Sequence, residues 1–152
     1  NEVSKRWESD NKTDSFLKMK EGNFLEGGAL NSFGEPFNFE GKNFKSEMNY
    51  QLLGKSINSI LDNKILQVPN YIKIDVDGIE HLILEGGDKY LKHENLLSLS
   101  VEINENFIDQ YEKVLKIMQE SGFKILHKKH NDEMYKNRIS VHSNTYNYIF
   151  VR

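Results

Sequence analysis

The sequence contains no cysteine and only two prolines among its 152 residues. The absence of cysteine excludes disulfide bonds and thiolate metal sites. No apolar run approaches the roughly 18 residues that suggest a membrane-spanning helix. No signal-peptide pattern is present, so the cytoplasm is the expected location. The net charge of −3 leaves no basic excess for binding nucleic acid or an anionic membrane.

The overall composition is that of a globular protein, with 38% hydrophobic and 28% charged residues. The length fits one domain or a large part of one. The chain starts at Asn1 without a methionine, and residues 1–14 are polar and show no periodicity. These features predict a loop at this end and an entry into the middle of a longer polypeptide.

The first part of the chain predicts strands and turns. Ser15–Lys20 and Tyr50–Gly54 are expected to be short strands, and the glycine- and phenylalanine-rich segment 21–41 to form turns and short antiparallel pieces. The segment SINSILD predicts one or two helical turns, with Ser56 as the N-cap.

From Tyr71 onward strands alternate with helices, which predicts right-handed crossovers and a parallel sheet. The expected order is strand 71–76, helix 79–92, strand 96–103, helix 106–120, strand 123–127 and, after a polar loop, strand 146–151. Gly86 and Gly87 are expected to mark a close contact between the first helix and the sheet. The last two strands have no helix between them and are expected to be antiparallel. The predicted fold class is α/β, a partial Rossmann-like and mostly parallel sheet with an antiparallel hairpin at its C-terminal end.

Acidic side chains follow the first of these strands, where the next helix begins. Asp75, Asp77 and Glu80 lie at that point, and ligands of open α/β sheets bind outside the carboxyl ends of the strands. These three residues are therefore candidate catalytic residues. The structural alternative is helix capping and turn formation by Asp77 and Gly78.

The following strand ends in Glu102 and Asn104, which are two residues apart and so share one face. If the two strands are neighbours, these side chains project from the same edge as Asp75 and Asp77. Oxygens from all four residues could bind a divalent cation such as Mg²⁺, or a carboxylate could take a proton from a substrate hydroxyl. The alternative is that Asn104 or Asn106 caps the following helix.

Other sites are weaker candidates. The irregular histidine spacing predicts no zinc site, and His81 is expected to be an exposed helix residue rather than a proton carrier. Haloacid-dehalogenase phosphatases share the order Asp75-Val76-Asp77-Gly78, but they need Thr or Ser next and this chain has Ile79. An EF-hand is excluded because these acids end a strand.

Two segments carry a family resemblance, VPNYIKIDVDGIEHLILEGGDKYL at residues 68–91 and LLSLSVEIN at residues 96–104. They are similar to the FkbM family of S-adenosylmethionine-dependent methyltransferases. The family pattern is K-I-D-V-E-G-x-E, then Leu-x-Gly, then a strand that ends in Glu. Asp77 replaces the commoner Glu, and Asn58 stands where the family's Ser-Ile-Asp-x-Leu segment has Asp.

This resemblance implies that residues 1–152 form the C-terminal portion of one class I methyltransferase domain. It covers residues 50–152 well and residues 15–49 loosely. It implies S-adenosylmethionine as methyl donor, and as acceptor a small molecule or glycan, most plausibly through a hydroxyl of a sugar or glycolipid precursor.

The family's glycine-rich donor-binding turn has no match here. Glu26–Gly34 is glycine-rich, but no clear strand leads into it and no helix pattern follows. Donor-binding residues are therefore expected upstream of Asn1. Without the family's first strand, the strand that carries Asp75 would have an open edge. A homo-oligomer is compatible with the sequence, and the alternative to an enzyme is an interaction or structural module that has lost donor binding.

Overall fold

A computed structural model describes residues 15–21, 32–43, 48–130 and 143–152. The expectations for residues 1–14 and for residues 22–31 of the glycine- and phenylalanine-rich segment lie outside these described residues. The strands are β1 Ser15–Glu21, β2 Ser32–Phe33, β3 Met48–Gly54, β4 Tyr71–Ile74, β5 Ser98–Asn104, β6 Lys124–Lys129 and β7 Thr145–Val151. The helices are α1 Ile57–Asp62, α2 Glu80–Glu85, α3 Asp88–Leu91 and α4 Ile108–Glu120. None of these four helices is long and apolar enough to span a membrane.

The first sheet is antiparallel and has the strand order β2-β1-β3. β1 pairs with β3 along its full length, from Ser15 opposite Gly54 to Glu21 opposite Met48. The two short strands predicted in this part of the chain are therefore confirmed, and β3 begins slightly earlier than predicted.

The second sheet has the strand order β4-β5-β7-β6. β4 and β5 are parallel, whereas β7 is antiparallel to both β5 and β6. The mixed α/β class and the antiparallel C-terminal hairpin are confirmed, but the mostly parallel sheet is not. The reason is the position of β7. It inserts between β5 and β6, so these two strands run in the same direction without meeting.

The helix predicted over residues 79–92 is two short helices, α2 and α3, which are separated by Gly86 and Gly87. Both glycines lie against α1. A Cβ atom on Gly87 would be 3.1 Å from Cδ1 of Ile57, and one on Gly86 would be 3.3 Å from Cβ of Ser56. The close contact predicted for these glycines is therefore made with a helix rather than with the sheet. Ser56 is the N-cap of α1, as predicted.

The hydrophobic core lies between the helices and one face of the second sheet. Alternate residues of β5, namely Leu99, Val101 and Ile103, are fully buried in one cluster with Leu84 of α2 and Val114 of α4. Burial of each such side chain contributes about 1.5–3 kcal/mol. Because side chains alternate across a strand, the β5 residues between them point to the opposite face of the sheet.

β4 is an edge strand within the described residues, since it pairs with β5 alone. Tyr71 at its start is 71% exposed. The open edge predicted for the strand that precedes Asp75 is therefore present in the described part of the chain.

Candidate functional site

The turn between β4 and α2 is held by the buried carboxylate of Glu80. Glu80 is 1% exposed and accepts hydrogen bonds from the backbone amides of Val76 at 3.1 Å and Gly78 at 3.1 Å. Burial raises the pKa of Glu80, the amide hydrogen bonds oppose this rise, and the charge of Asp77 adds to it. The backbone is left-handed at Asp77, with φ 58°, and at Gly78, with φ 113°. Glu80 thus fixes a turn whose backbone is unfavourable for most residues.

Asp75 and Glu102 lie side by side at the ends of the two parallel strands. Ile74 is beside Val101 in the strand register, and the carboxyl groups of the next residues, Asp75 and Glu102, share a hydrogen bond. Burial, followed by the charge of Asp75, raises the pKa of Glu102 from 4.5 to about 7. The neighbouring negative charge favours the protonated form of Glu102.

Lys73 adds a positive charge to this pair. Its Nζ lies 2.8 Å from Oδ2 of Asp75, and the two side chains are 63% and 41% exposed. The hydrogen bond and the charge of Asp75 raise the pKa of Lys73, and Glu102 contributes less. Because Lys73 balances the charge of Asp75, Glu102 is the carboxyl group that exchanges a proton near neutral pH.

Asn104 uses both ends of its side-chain amide in structural contacts. Its Oδ1 accepts a hydrogen bond from the backbone amide of Asn106 at 3.0 Å, and its Nδ2 donates to the carbonyl of Phe39 at 3.2 Å. The first bond shapes the turn that leads into α4. The donor of this bond, Asn106, is one residue before Phe107, the N-cap of that helix, so Asn104 is not itself the cap.

A cavity of about 20 Å³ lies beside these residues, which is room for about one water molecule. It is too small for a methyl acceptor. It is lined by Phe39, Asp77, Gly78, Glu80, Glu102, Asn104, Gln110 and Thr145.

The segment 37–43 closes this cavity from one side. Its backbone lies so near the β4–α2 turn that a Cβ on Gly78 would be 2.9 Å from Cα of Phe39. Phe37 packs edge-on against Phe107, with ring centroids 5.4 Å apart. The acidic pair is accessible to solvent on its other side, where the side chain of Asp75 is 41% exposed.

His81 is buried, so the prediction that it is an exposed helix residue was wrong. It is 4% exposed, and burial, with a smaller effect of Lys113, lowers its pKa to about 4. Its Nδ1 has no hydrogen-bond partner within the described ranges. The physical reason is that α2 packs against both β5 and α4, so consecutive residues of this short helix are covered.

The structure does not support the predicted magnesium site at Asp75, Asp77, Glu102 and Asn104. Across residues 15–21, 32–43, 48–130 and 143–152, no group of three or more carboxylate, histidine or cysteine side chains could hold a metal ion. The charge of Asp75 is already balanced by Lys73, and the amide of Asn104 is engaged elsewhere.

Gln110 is a site residue that the sequence pattern did not single out. It is 1% exposed on α4, and its side chain contacts both Glu80 and the backbone of Asn104. A signal was present, because Gln110, Val114 and Met118 recur at a spacing of four and are the buried residues of this helix. A polar residue on a buried stripe needs hydrogen-bond partners inside the protein.

The fold and the site define an α/β protein whose acidic residues meet at the carboxyl ends of two parallel strands, where such folds bind ligands. The family model of the methyltransferase FkbM domain matches residues 13–125. This is most of the chain, and the protein belongs to that family. No match was found among curated proteins or among solved structures. The family resemblance predicted from the segments around Asp75 and Glu102 is therefore confirmed.

Proposed function

We propose that the protein takes part in methyl transfer from S-adenosylmethionine to a hydroxyl oxygen, with Asp75 and Glu102 at the acceptor. The family supports the reaction class and the use of this donor. The observation that carries the rest is the acidic pair, in which Glu102 has a pKa near neutrality beside an exposed carboxylate. A general base works best when its pKa lies near the operating pH.

The donor supplies a methyl group that is activated by a sulfonium centre, and the chain's own residues act on the acceptor. A hydroxyl is a poor nucleophile until its proton leaves. Glu102 would accept that proton, and Asp75 would accept a hydrogen bond from a neighbouring hydroxyl of the acceptor, so that the reacting oxygen is aligned for attack. Lys73 would keep the charge of Asp75 balanced throughout.

Asp77 and Glu80 would act less directly. Glu80 is enclosed and engaged by backbone amides, so it would orient the turn that carries Asp75. Asp77 lines the small cavity and would shape the acceptor side of the site.

Donor binding is not assigned to any residue of this chain. Within the described segments, no glycine-rich turn connects a strand to a following helix. The chain would therefore act as the C-terminal portion of a methyltransferase domain, with the donor held by residues outside the described ones. The polar, carboxylate-lined site suits a hydroxylated acceptor such as a sugar or a glycolipid precursor.

The test is S-adenosylhomocysteine release by the full-length protein in the presence of hydroxylated acceptors. Wild type, Asp75→Asn and the exposed control Glu112→Gln are compared at matched folded fractions. Asp75→Asn is expected to lower turnover by about 10²-fold or more while its melting temperature stays close to wild type. If activity survives while melting falls sharply, Asp75 is structural. A folded protein that never binds the donor would favour an interaction module instead.

A further inference from the structure

Gln110 connects the two acidic strand ends through one side chain. Its Nε2 donates to Oε2 of Glu80, and its Oε1 accepts a hydrogen bond from the backbone amide of Asn104 at 3.3 Å. Glu80 grips the turn that follows Asp75, whereas Asn104 lies two residues beyond Glu102. A single buried amide therefore bridges the elements that present the two carboxyl groups.

A side-chain amide at this position satisfies both partners. The carboxylate of Glu80 needs a donor, and the backbone N–H of Asn104 needs an acceptor. These opposite needs also fix the orientation of the Gln110 amide, because a flipped amide would face a donor with a donor and an acceptor with an acceptor. An ionised glutamate at this position would keep the acceptor alone, and methionine would keep neither.

The bridge continues into the backbone of the β4–α2 turn. Glu80 accepts hydrogen bonds from the amides of Val76 and Gly78, so a change at Gln110 is transmitted directly to the residues that follow Asp75. On the other side, Asn104 ends β5 and forms the last part of the strand that carries Glu102.

We propose that Gln110 is a positioning residue, which sets the separation of Asp75 and Glu102 by tying Glu80 to the end of β5. It does not touch the reacting atoms and acts through Glu80 and Asn104. Its role in catalysis rests on the proposed function, but the mechanical coupling of the two strand ends can be measured without any substrate.

The first test is steady-state kinetics of the full-length protein with Gln110→Met and Gln110→Glu. Gln119→Met and Gln119→Glu are matched controls, because Gln119 lies exposed on the same helix. Misplacing the acid pair is expected to lower kcat by about 10- to 100-fold. The KM for S-adenosylmethionine is expected to change by less than about twofold, since donor contacts are untouched. The control variants are expected to match wild type.

The second test is amide hydrogen exchange in the absence of ligands. In both Gln110 variants, the amides of Val76 and Gly78 are expected to exchange faster, while core amides such as that of Val101 stay protected. Faster exchange across the whole chain would indicate general destabilisation and overturn the proposal. If Gln110→Met does not fold, the exchange test is made with Gln110→Glu alone, which keeps the side-chain volume and the bond to Asn104.

The two tests separate the possible failures. Wild-type kcat in a folded Gln110 variant, or unchanged exchange at Val76 and Gly78, overturns the positioning role. If wild type transfers no methyl group but the local exchange effect is present, the proposed function fails and the coupling of the strand ends stands.

Discussion

Replacing Glu102 by glutamine is expected to lower the rate of methyl transfer strongly and, above neutral pH, to make the folded protein more stable. The carboxyl group binds its proton more tightly in the folded state, because burial and the charge of Asp75 raise its pKa from 4.5 to about 7. Between these two values the folded protein holds more protons than the unfolded chain. The contribution of Glu102 to the free energy of unfolding therefore falls as the pH rises through this range.

The size of this effect follows from the pKa. For a fully buried group, the rise would correspond to about 3 kcal/mol. Because Glu102 is only half-buried, screening by solvent leaves about 1 to 2 kcal/mol. Glutamine cannot ionise, so Glu102→Gln is expected to gain this amount above neutrality and to gain nothing at about pH 4.5, where the wild-type carboxyl group is protonated in the folded state.

The assay is urea denaturation at about pH 5 and about pH 8, run beside turnover measurements. Glu112→Gln serves as control, because Glu112 is exposed on α4. Loss of the general base is expected to lower kcat by about 10²- to 10⁴-fold. Near-wild-type turnover of Glu102→Gln, or a loss of stability at the higher pH, would refute the reasoning.

Three other substitutions test the surroundings of the site. Buried His81 is expected to contribute a loss of stability as the pH falls from 6.5 toward about 4, because the unfolded chain binds the proton that the buried imidazole rejects. This contribution opposes that of Glu102, so it is measured in urea melts as the difference in pH dependence between His81→Leu and wild type. Gly78→Ala is expected to cost about 2–3 kcal/mol in thermal unfolding, because its Cβ would lie 2.9 Å from Cα of Phe39 at positive φ; an unchanged midpoint would argue against that contact. Asn58 donates to Oδ1 of Asp88 at 2.6 Å, so Asn58→Asp is expected to cost about 1–3 kcal/mol, and a double-mutant cycle with Asp88→Asn is expected to recover most of it.

The acidic pair could be located from the sequence because strand patterns and acid positions are local signals. The apolar run that ends at Asp75 and the one that ends near Glu102 each predicted a strand, and the helix between them predicted a parallel crossover. Parallel neighbours present their carboxyl ends at one edge. The adjacency of β4 and β5 therefore followed from the order of elements alone.

The supporting contacts could not be predicted, because they join residues far apart in the chain. Gln110 reaches Glu80 across 30 positions, and Asn104 reaches Phe39 across 65. No local pattern encodes such pairs. The position of β7 between β5 and β6 is likewise set by tertiary pairing. Because β7 lies between them, β5 and β6 each form an antiparallel pair with β7 instead of a parallel pair with each other.

The burial of His81 shows the limit of helical periodicity for short helices. α2 has six residues, and a six-residue helix that is covered on two sides exposes too few positions for a polar face to be recognised. The polar character of histidine then favoured the prediction of an exposed side chain. The packing of α2 against α4 buries it instead.

The most direct measurement of the central claim is to follow a ¹³C-labelled methyl group from S-adenosylmethionine into the acceptor by NMR. The full-length wild type is expected to give an O-methyl signal, and in Glu102→Gln this signal is expected to build up at least about 10²-fold more slowly while the fold is retained. A label found on nitrogen or carbon, or an O-methyl signal of equal rate from Glu102→Gln, would contradict the assignment of Asp75 and Glu102 as the acceptor site.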